Sequence, residues 1–247
     1  MKSTTDLLPT ALASDATWSH VAPHTQMWLA INIVAVITFG LWLDIRFGWV
    51  GQHLATAWTL AVWAWLYKHG DRDERHILII ATVVSGIGEV FLSLVWGLYD
   101  YQFHNVPLFV PPGHALLMTL GLLVSRHIKP AMVVGISCLA AAWGVYVLVI
   151  DFDRFGAGLF LMYAACVVFG RARALYATMF VLALIMELYG TALGNWFWHS
   201  PAPWLQWSAA NPPFSAGAFY CVLDLLVLWI LRANLFGDAP DKTPAGE

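Results

Sequence analysis

Long apolar runs, separated by short polar or aromatic connections that contain Pro and Gly, dominate the pattern along this chain. A helix that crosses a bilayer needs ~20 mostly apolar residues. Eight runs reach or approach that length, which predicts eight transmembrane helices; seven is the alternative, because the fourth and sixth runs are short. The predicted spans are 25–44, 47–67, 76–96, 113–125, 131–150, 156–169, 174–198 and 214–235.

The composition agrees with this pattern. Of the 247 residues, 60% are hydrophobic and only 11% are charged, whereas a soluble domain carries about 25% charged residues. The surplus apolar surface must face lipid, which predicts an all-α polytopic membrane protein. There is no basic cluster that indicates nucleic-acid binding. The three cysteines lie in apolar segments without C-x-x-C spacing, so neither a disulfide framework nor a zinc site is predicted.

The basic residues predict the orientation. Ten of the 12 Lys and Arg residues fall on one side of the predicted spans, and only Arg46 and Arg154 fall on the other. The positive-inside rule then places both termini in the cytoplasm, and a bacterial inner membrane is the expected location. The ten residues on the cytoplasmic side are Lys2, Lys68, Arg72, Arg75, Arg126, Lys129, Arg171, Arg173, Arg232 and Lys242.

The two halves of the chain resemble each other. Residues 41–48 read Leu-Trp-Leu-Asp-Ile-Arg-Phe-Gly, and residues 149–156 read Val-Ile-Asp-Phe-Asp-Arg-Phe-Gly. This similarity predicts two parallel four-helix repeats, with a binding site at their interface near the midplane. The predicted divisions are a cytoplasmic N-terminal segment 1–24, repeats 25–127 and 128–235, and a disordered cytoplasmic tail 236–247.

Acidic residues within the apolar runs are the strongest chemical signal. Glu89 and Glu187 lie near the middle of predicted spans, and Asp224 should reach a similar depth in the last one. A carboxylate at the bilayer centre costs from ~2.5 kcal/mol upward, so such residues usually mark functional sites. Three carboxyl groups at one depth cannot all stay ionised cheaply, and we expect at least one to be protonated. Glu89 and Glu187 are therefore predicted to be the catalytic proton donor and acceptor, and Asp224 is predicted to tune their pKa values.

Two aromatic, Pro-containing loops, 99–112 and 199–213, should lie on the outer face as a lid over a lipid-accessible cleft; an interfacial aromatic belt is the alternative reading. Polar and aromatic residues that lead from the two Glu residues into these loops are predicted to bind substrate. They are Ser93, Tyr99, Asp100, Tyr101, His104, Asn105, His114, Thr191, Asn195, Trp196, Trp198, His199 and Asn211.

Metal and cofactor signatures were sought along the same loops. Asp100, His104 and His114 could be drawn together around a metal, but no H-x-x-x-H, H-x-x-H-H or H-E-x-x-H pattern is present. The sequence also lacks G-x-S-x-G, a P-loop and a dinucleotide fingerprint. We therefore predict neither a metal nor a cofactor.

Residues 97–101, Gly-Leu-Tyr-Asp-Tyr, are followed by Val106-Pro107 and Pro111. Together they resemble a segment of the membrane carotenoid-biosynthesis family that includes bisanhydrobacterioruberin hydratase, in which a membrane Glu precedes a Gly-x-Tyr-x-Tyr and a Val-Pro segment. Glu89 occupies the place of that Glu. The resemblance covers about 30 residues, and His114 and residues 194–198 depart from it. It implies an enzyme that hydrates or rearranges a polyisoprenoid by acid/base chemistry without a cofactor.

Three functions follow from these patterns. The leading hypothesis is a membrane lyase or isomerase for an isoprenoid or other lipid, by hydration, isomerisation or cyclisation. The second is a small proton-coupled transporter or flippase, in which the same acids bind protons. The third is a non-catalytic subunit or assembly factor of a membrane complex.

Overall fold

The computed structural model describes residues 18–233, and its helices confirm the all-α class. Predictions for the first 17 residues and for the tail 236–247 lie outside the described residues. The helices are α1 (Pro23–His69), α2 (Arg72–Glu89), α3 (Val110–Ser125), α4 (Pro130–Val149), α5 (Arg154–Phe169), α6 (Arg173–Leu193) and α7 (Gly217–Arg232). Two short strands, β1 (Tyr99–Tyr101) and β2 (Trp196–Trp198), follow α2 and α6.

Four described helical segments are long and apolar enough to cross a membrane: Pro23–His69, Arg72–Val95, Pro130–Val149 and Arg173–Leu193. Helices α3 and α5 are apolar but shorter, at 16 residues each. These helices support a membrane protein. Eight crossings remain a prediction.

Helix α1 reverses direction at Gly48, where φ is 56° and ψ is −133°. A straight helix of 47 residues would be about 70 Å long. Instead, a ring nitrogen of His20, just before α1, lies 3.3 Å from the carbonyl oxygen of His69 at its end. A Cβ placed on Gly40 would lie 3.6 Å from that of Ala55. The two arms of α1, residues 23–47 and 49–69, are therefore antiparallel. They correspond to the two separate helices predicted over 25–44 and 47–67.

Helix α2 begins at a capping box and ends in a π-helical turn. The Asp71 side chain accepts from the backbone N–H of Glu74, and the Glu74 side chain accepts from the backbone N–H of Asp71. The π-helical turn, Val90–Val95, begins directly after Glu89. Such turns are rare and occur frequently at functional sites. Gly97, at φ 70°, then turns the chain into β1.

The predicted span 174–198 is too long at its end. Helix α6 ends at Leu193, because Gly194 adopts a left-handed conformation (φ 90°) and donates its N–H to the carbonyl of Gly190. A glycine in this conformation is a common helix terminator. The last residues of the predicted helix are therefore strand β2, which brings two Trp side chains back over α6.

Four helices, α2, α3, α6 and α7, form the centre of the bundle. Helix α2 packs against α3 and α7, and α6 packs in the corresponding way against α7 and α3. Helix α1 covers α3 and α6, while α5 covers α7 and α4 packs on α5 and α6. The contacts correspond in part between the two halves. The duplication itself remains a prediction.

Candidate functional site

Strands β1 and β2 form an antiparallel pair that joins the two halves of the chain. Tyr99 lies opposite Trp198, and Tyr101 lies opposite Trp196. Side chains alternate between the two faces of a strand, so these four rings share one face. All four are buried, whereas Phe197 in the middle of β2 is exposed.

The two Tyr residues of β1 bind the carboxyl group of their own half. The hydroxyl of Tyr99 lies 2.8 Å from Oε2 of Glu89, and that of Tyr101 lies 2.7 Å from the same oxygen. The other oxygen, Oε1, lies 3.2 Å from Nε2 of His114 on α3. Glu89 thus has three polar partners, each of which can both donate and accept a hydrogen bond.

The two Trp residues of β2 bind Glu187 in the matching way. The indole N–H groups of Trp196 and Trp198 donate to Oε2 of Glu187 at 2.8 and 3.1 Å. The hydroxyl of Tyr220 on α7 lies 3.3 Å from Oε1. Bonds of an N–H or O–H group to a carboxylate are stronger than neutral ones. Glu187 is therefore satisfied mainly by groups that only donate.

An aromatic stack connects the two carboxyl groups. The rings of His114 and Tyr220 are 4.7 Å apart and nearly parallel, at 6°. Since His114 contacts Glu89 and Tyr220 contacts Glu187, a continuous set of side chains runs across the interface of the two halves. Tyr220 was not among the residues predicted to form the site. Its position on α7, four residues before Asp224, was the sequence feature that could have identified it.

A cavity of about 370 Å³ lies beneath the strand pair, among α1, α2, α3, α6 and α7. This volume is within the ~300–1,000 Å³ range of small-molecule sites. The lining is mostly apolar, and no Lys or Arg is among the described residues that form it. Its polar part contains seven predicted residues together with Tyr220; the seven are Glu89, Glu187, Tyr99, Tyr101, His114, Trp196 and Trp198.

The cavity reaches the outside of the bundle at α2 and α7. Three apolar side chains both line the cavity and are exposed on the helix surface: Ile87, Phe91 and Leu226. The exposed fraction of Ile87 is 67%. Exposed apolar side chains at the mouth of an apolar cavity suit a ligand that arrives from hydrocarbon rather than from water.

A glycine makes the close approach of Trp196 to α6 possible. A Cβ on Gly190 would lie 2.1 Å from Cη2 of the Trp196 ring. The ring therefore occupies the space that any other residue at 190 would fill. Gly190 lies one turn after Glu187 on α6, which explains how the indole reaches the carboxylate.

The other face of the strand pair carries a separate polar cleft. Oδ2 of Asp100 lies 3.0 Å from Nε2 of His199 and 3.9 Å from Nδ1 of His104. Thr191 also lines this cleft. The trio considered for a metal, Asp100, His104 and His114, is not brought together, because alternation along β1 directs Asp100 away from the cavity that holds His114.

Three predicted Asn residues position the strands and do not line the cavity. Nδ2 of Asn195 donates to Oδ2 of Asp44 at 2.9 Å, and Oδ1 of Asn211 accepts from the backbone N–H of Trp198 at 2.9 Å. Nδ2 of Asn105 donates to Gln52 at 3.0 Å. These contacts make the three residues anchors, and substrate binding by them remains a prediction.

Asp153 anchors the second aromatic loop, 199–213. Its Oδ1 accepts from the N–H groups of Gly156 and Ala210, and its Oδ2 accepts from that of Phe214, at 2.8–3.2 Å. Burial raises the pKa of this carboxyl above its ordinary value, and the three backbone donors oppose part of that shift. The loop is also stacked on the end of α2 through Trp204 and Trp96, whose rings are 5.1 Å apart.

Two predicted site residues lie elsewhere. Ser93 is buried in the π-helical turn and does not line the cavity. Asp224 is fully buried, but it interacts electrostatically with Cys166 and Cys221 rather than with Glu89 or Glu187. Neither of its oxygens has a hydrogen-bond partner among residues 18–233. The expectation that Asp224 tunes the two Glu residues therefore has no contact to support it.

A cluster of potential metal ligands lies near the start of α2. His20, Asp71 and Glu74 bring one ligand atom each within 4.8 Å of the others. However, the oxygens of Glu74 accept backbone N–H groups of Trp18 and Asp71, and Oδ1 of Asp71 accepts that of Glu74. These carboxylates cap the helix and attach the preceding segment to it.

No protein-family model, no curated protein and no solved structure matches this chain. Its function must therefore be argued from the site.

Proposed function

We propose that this protein is a multi-pass integral-membrane enzyme, a lyase or isomerase, for an isoprenoid or another lipid. The reaction is a hydration, an isomerisation or a cyclisation by cofactor-free acid/base chemistry. The cavity opens to the outer leaflet, and both termini are cytoplasmic in a bacterial inner membrane. The observation that carries the proposal is that two carboxyl groups, Glu89 and Glu187, lie inside one largely apolar cavity. Each of them is hydrogen-bonded to aromatic side chains of the strand pair.

The lining supports an apolar substrate. No Lys or Arg faces the cavity among the described residues, so no Lys or Arg charge there would pair with a phosphate or carboxylate group of a ligand. The exposed side chains at its mouth, Ile87, Phe91 and Leu226, are apolar. A lipid could enter sideways between α2 and α7 without leaving the hydrocarbon region.

The chemistry needs one proton donor and a means of stabilising positive charge. When a carboxylic acid protonates an alkene, its O–H bond breaks, a C–H bond forms and a carbocation results. Water can then add with loss of a proton, or a neighbouring C–H can lose its proton, or a second double bond can attack to form a new C–C bond and a second cation, which then loses a proton. An ionised carboxylate and the faces of aromatic rings stabilise the cation in such a site.

Lipid profiling tests this proposal. A strain that lacks the protein is complemented with wild type, Glu89→Gln, Glu187→Gln or Asp151→Asn, and its lipids are compared by mass spectrometry. Asp151 is the matched control, because its exposed carboxylate pairs with Arg154 at 2.7 Å, away from the cavity. We expect a precursor that wild type and Asp151→Asn consume, and that each Glu variant converts about 10²–10⁴-fold more slowly, the usual contribution of a general acid or base.

The outcomes separate the competing functions. Full product formation by both folded Gln variants contradicts the acid/base proposal. An unchanged lipid profile, together with proton flux driven by a substrate gradient in proteoliposomes, identifies a transporter. Stable co-purification with one partner, together with tolerance of both Gln variants, identifies a subunit of a complex.

A further inference from the structure

The ring of His114 has a defined orientation. Nδ1 lies 3.1 Å from the carbonyl oxygen of Val110, one turn earlier on α3, and Nε2 lies 3.2 Å from Oε1 of Glu89. A carbonyl oxygen can only accept, so Nδ1 must carry a hydrogen. A neutral His114 therefore carries its hydrogen on Nδ1 and a lone pair on Nε2.

The contact of the second nitrogen, Nε2, with Glu89 depends on which of the two atoms carries a proton. With Nδ1 protonated, Nε2 of a neutral His114 presents a lone pair towards Oε1. A carboxylate oxygen also presents lone pairs, so the 3.2 Å contact with Glu89 is repulsive unless one of the two atoms carries a proton. Either Glu89 is a neutral acid beside a neutral ring, or an imidazolium pairs with the carboxylate. In both cases, the pair holds one proton that can move.

The second oxygen of Glu89 does not compete for this proton. Oε2 already accepts from the hydroxyl groups of Tyr99 and Tyr101. The shared proton therefore lies on the side of Oε1, towards His114. The titratable groups that face Glu89 are Tyr99 and Tyr101 from β1, His114 from α3, Tyr220 from α7 and Glu187 from α6.

Glu187 is in the opposite situation. Its Oε2 accepts from two indole N–H groups, those of Trp196 and Trp198, and an indole is a donor only. A proton on this oxygen would point at two donors. Its Oε1 faces the hydroxyl of Tyr220, which can donate to an ionised Glu187. The two donor-only partners on Oε2 favour the ionised form of Glu187.

We propose that the transferable proton of the cavity lies on the Glu89–His114 pair and that Glu187 is its fixed anion. This assignment rests on the proposed function for its role in the reaction. The pair delivers its proton to an alkene carbon, and the carbocation that forms lies near the ionised Glu187. The pair regains a proton from the substrate or from the water that adds, so the cycle balances. His114 acts through Glu89 as a positioning residue.

Spectroscopy on the resting protein tests the assignment without any substrate. Infrared spectra of the protein in nanodiscs detect the carbonyl stretch of a protonated carboxyl, and ¹⁵N NMR of histidine-labelled protein detects a proton on Nε2 of His114. We expect one of these two signals from wild type, and we expect Glu89→Gln to remove or shift it. Glu187→Gln should leave it in place. Asp151→Asn is the control and should leave the signal unchanged, because this exposed carboxylate lies away from the cavity.

Two results would overturn the assignment. One is a neutral His114 with an unprotonated Nε2 and no protonated carboxyl that depends on Glu89. The other is a protonated carboxyl band that Glu187→Gln removes and Glu89→Gln leaves. Neither requires turnover, so failure to find any lipid product contradicts the proposed function and not this assignment.

A kinetic measurement tests whether His114 takes part in the proton transfer of the reaction. Once the product is known, His114→Gln should lower kcat about 10²-fold and shift the pH–rate profile, with little change in KM. A purely structural His114 would leave the shape of that profile unchanged. Asp151→Asn should reproduce the wild-type profile. If His114→Gln does not fold, the spectra of the labelled wild type still decide the assignment.

Discussion

The two halves of the cavity share a plan and differ in its chemistry. In each half, a buried Glu is bound by two aromatic side chains of the strand that follows, ten and twelve residues after Glu89 and nine and eleven residues after Glu187. A ring from the next helix contacts the other oxygen. The first half uses two Tyr and a His, whereas the second uses two Trp and a Tyr.

This difference gives each carboxyl group a separate role. A Tyr hydroxyl or a His ring can donate and accept, so protons can pass among the partners of Glu89. An indole N–H can only donate, so the two Trp partners of Glu187 stabilise charge without relaying protons. In the assignment proposed above, similar geometry with different partners separates an acid from an anion in one cavity, as environments separate paired carboxyls in known enzymes.

The sharpest way to break the second half alone is Gly190→Ala. The new Cβ would occupy the position of the Trp196 ring, so the ring must move away from Glu187. A displacement of about 1 Å can cost about 10² in rate, and overpacking costs about 1–3 kcal/mol of stability. We expect both losses, measured as turnover and as the midpoint of unfolding in detergent.

Gly135→Ala is the control, because Gly135 lies on α4 and does not line the cavity. A Cβ on Gly135 meets nothing within 4 Å. Alanine at a helical glycine usually stabilises by about 0.5–1 kcal/mol, so this variant should keep wild-type turnover. Equal loss in both variants would show that the approach of Trp196 to α6 is not what matters.

Much of this site was accessible from the sequence. Glu89 and Glu187 were predicted because carboxyl groups in apolar runs are costly, and Tyr99, Tyr101, Trp196 and Trp198 because they lie just beyond them. All six line the same cavity. The all-α class followed from composition and from the length of the apolar runs.

The strand pair and the place of Asp224 were not accessible in the same way. Strands of three residues carry no usable periodicity, and residues 196–198 continue an apolar run, so they read as helix. For Asp224, position along the helix gave depth but not direction. Asp224 lies four residues after Tyr220 on α7, and four residues rotate a helix by about 40° beyond a full turn. Tyr220 lines the cavity, whereas Asp224 lies near Cys166 of α5.

Single donors should produce a smaller, and unequal, effect. Trp196→Phe removes one N–H from Glu187, and Tyr101→Phe removes one O–H from Glu89. A hydrogen bond to a charged group contributes about 1.5 kcal/mol or more, so each should slow turnover about tenfold.

The two donor variants should differ in the solvent isotope effect on kcat. Tyr101→Phe should change it, because the Tyr hydroxyl exchanges protons with Glu89, and Trp196→Phe should not. Trp204→Phe controls for ring volume, since Trp204 is exposed and stacks on Trp96. An isotope effect that Trp196→Phe alters and Tyr101→Phe does not would reverse the roles of the two halves.

The smallest effects on turnover should come from the acids that anchor each half. Asp153 accepts three backbone N–H groups, which cannot reorient, and Asp153→Asn puts an NH₂ group against at least one of them. Asp44 accepts from the side-chain amides of Gln52 and Asn195. Those amides have both donors and acceptors, so Asp44→Asn leaves possible partners.

We therefore expect Asp153→Asn to lower the free energy of unfolding by about 1–3 kcal/mol, the cost of an unsatisfied buried group. Asp44→Asn should cost less, and both folded variants should retain turnover within about twofold, because neither acid lines the cavity. Unfolding in detergent, followed by circular dichroism, gives the stabilities, with Asp151→Asn as the exposed reference. Equal stability of the two variants would mean that the backbone donors around Asp153 adapt as readily as side-chain amides do.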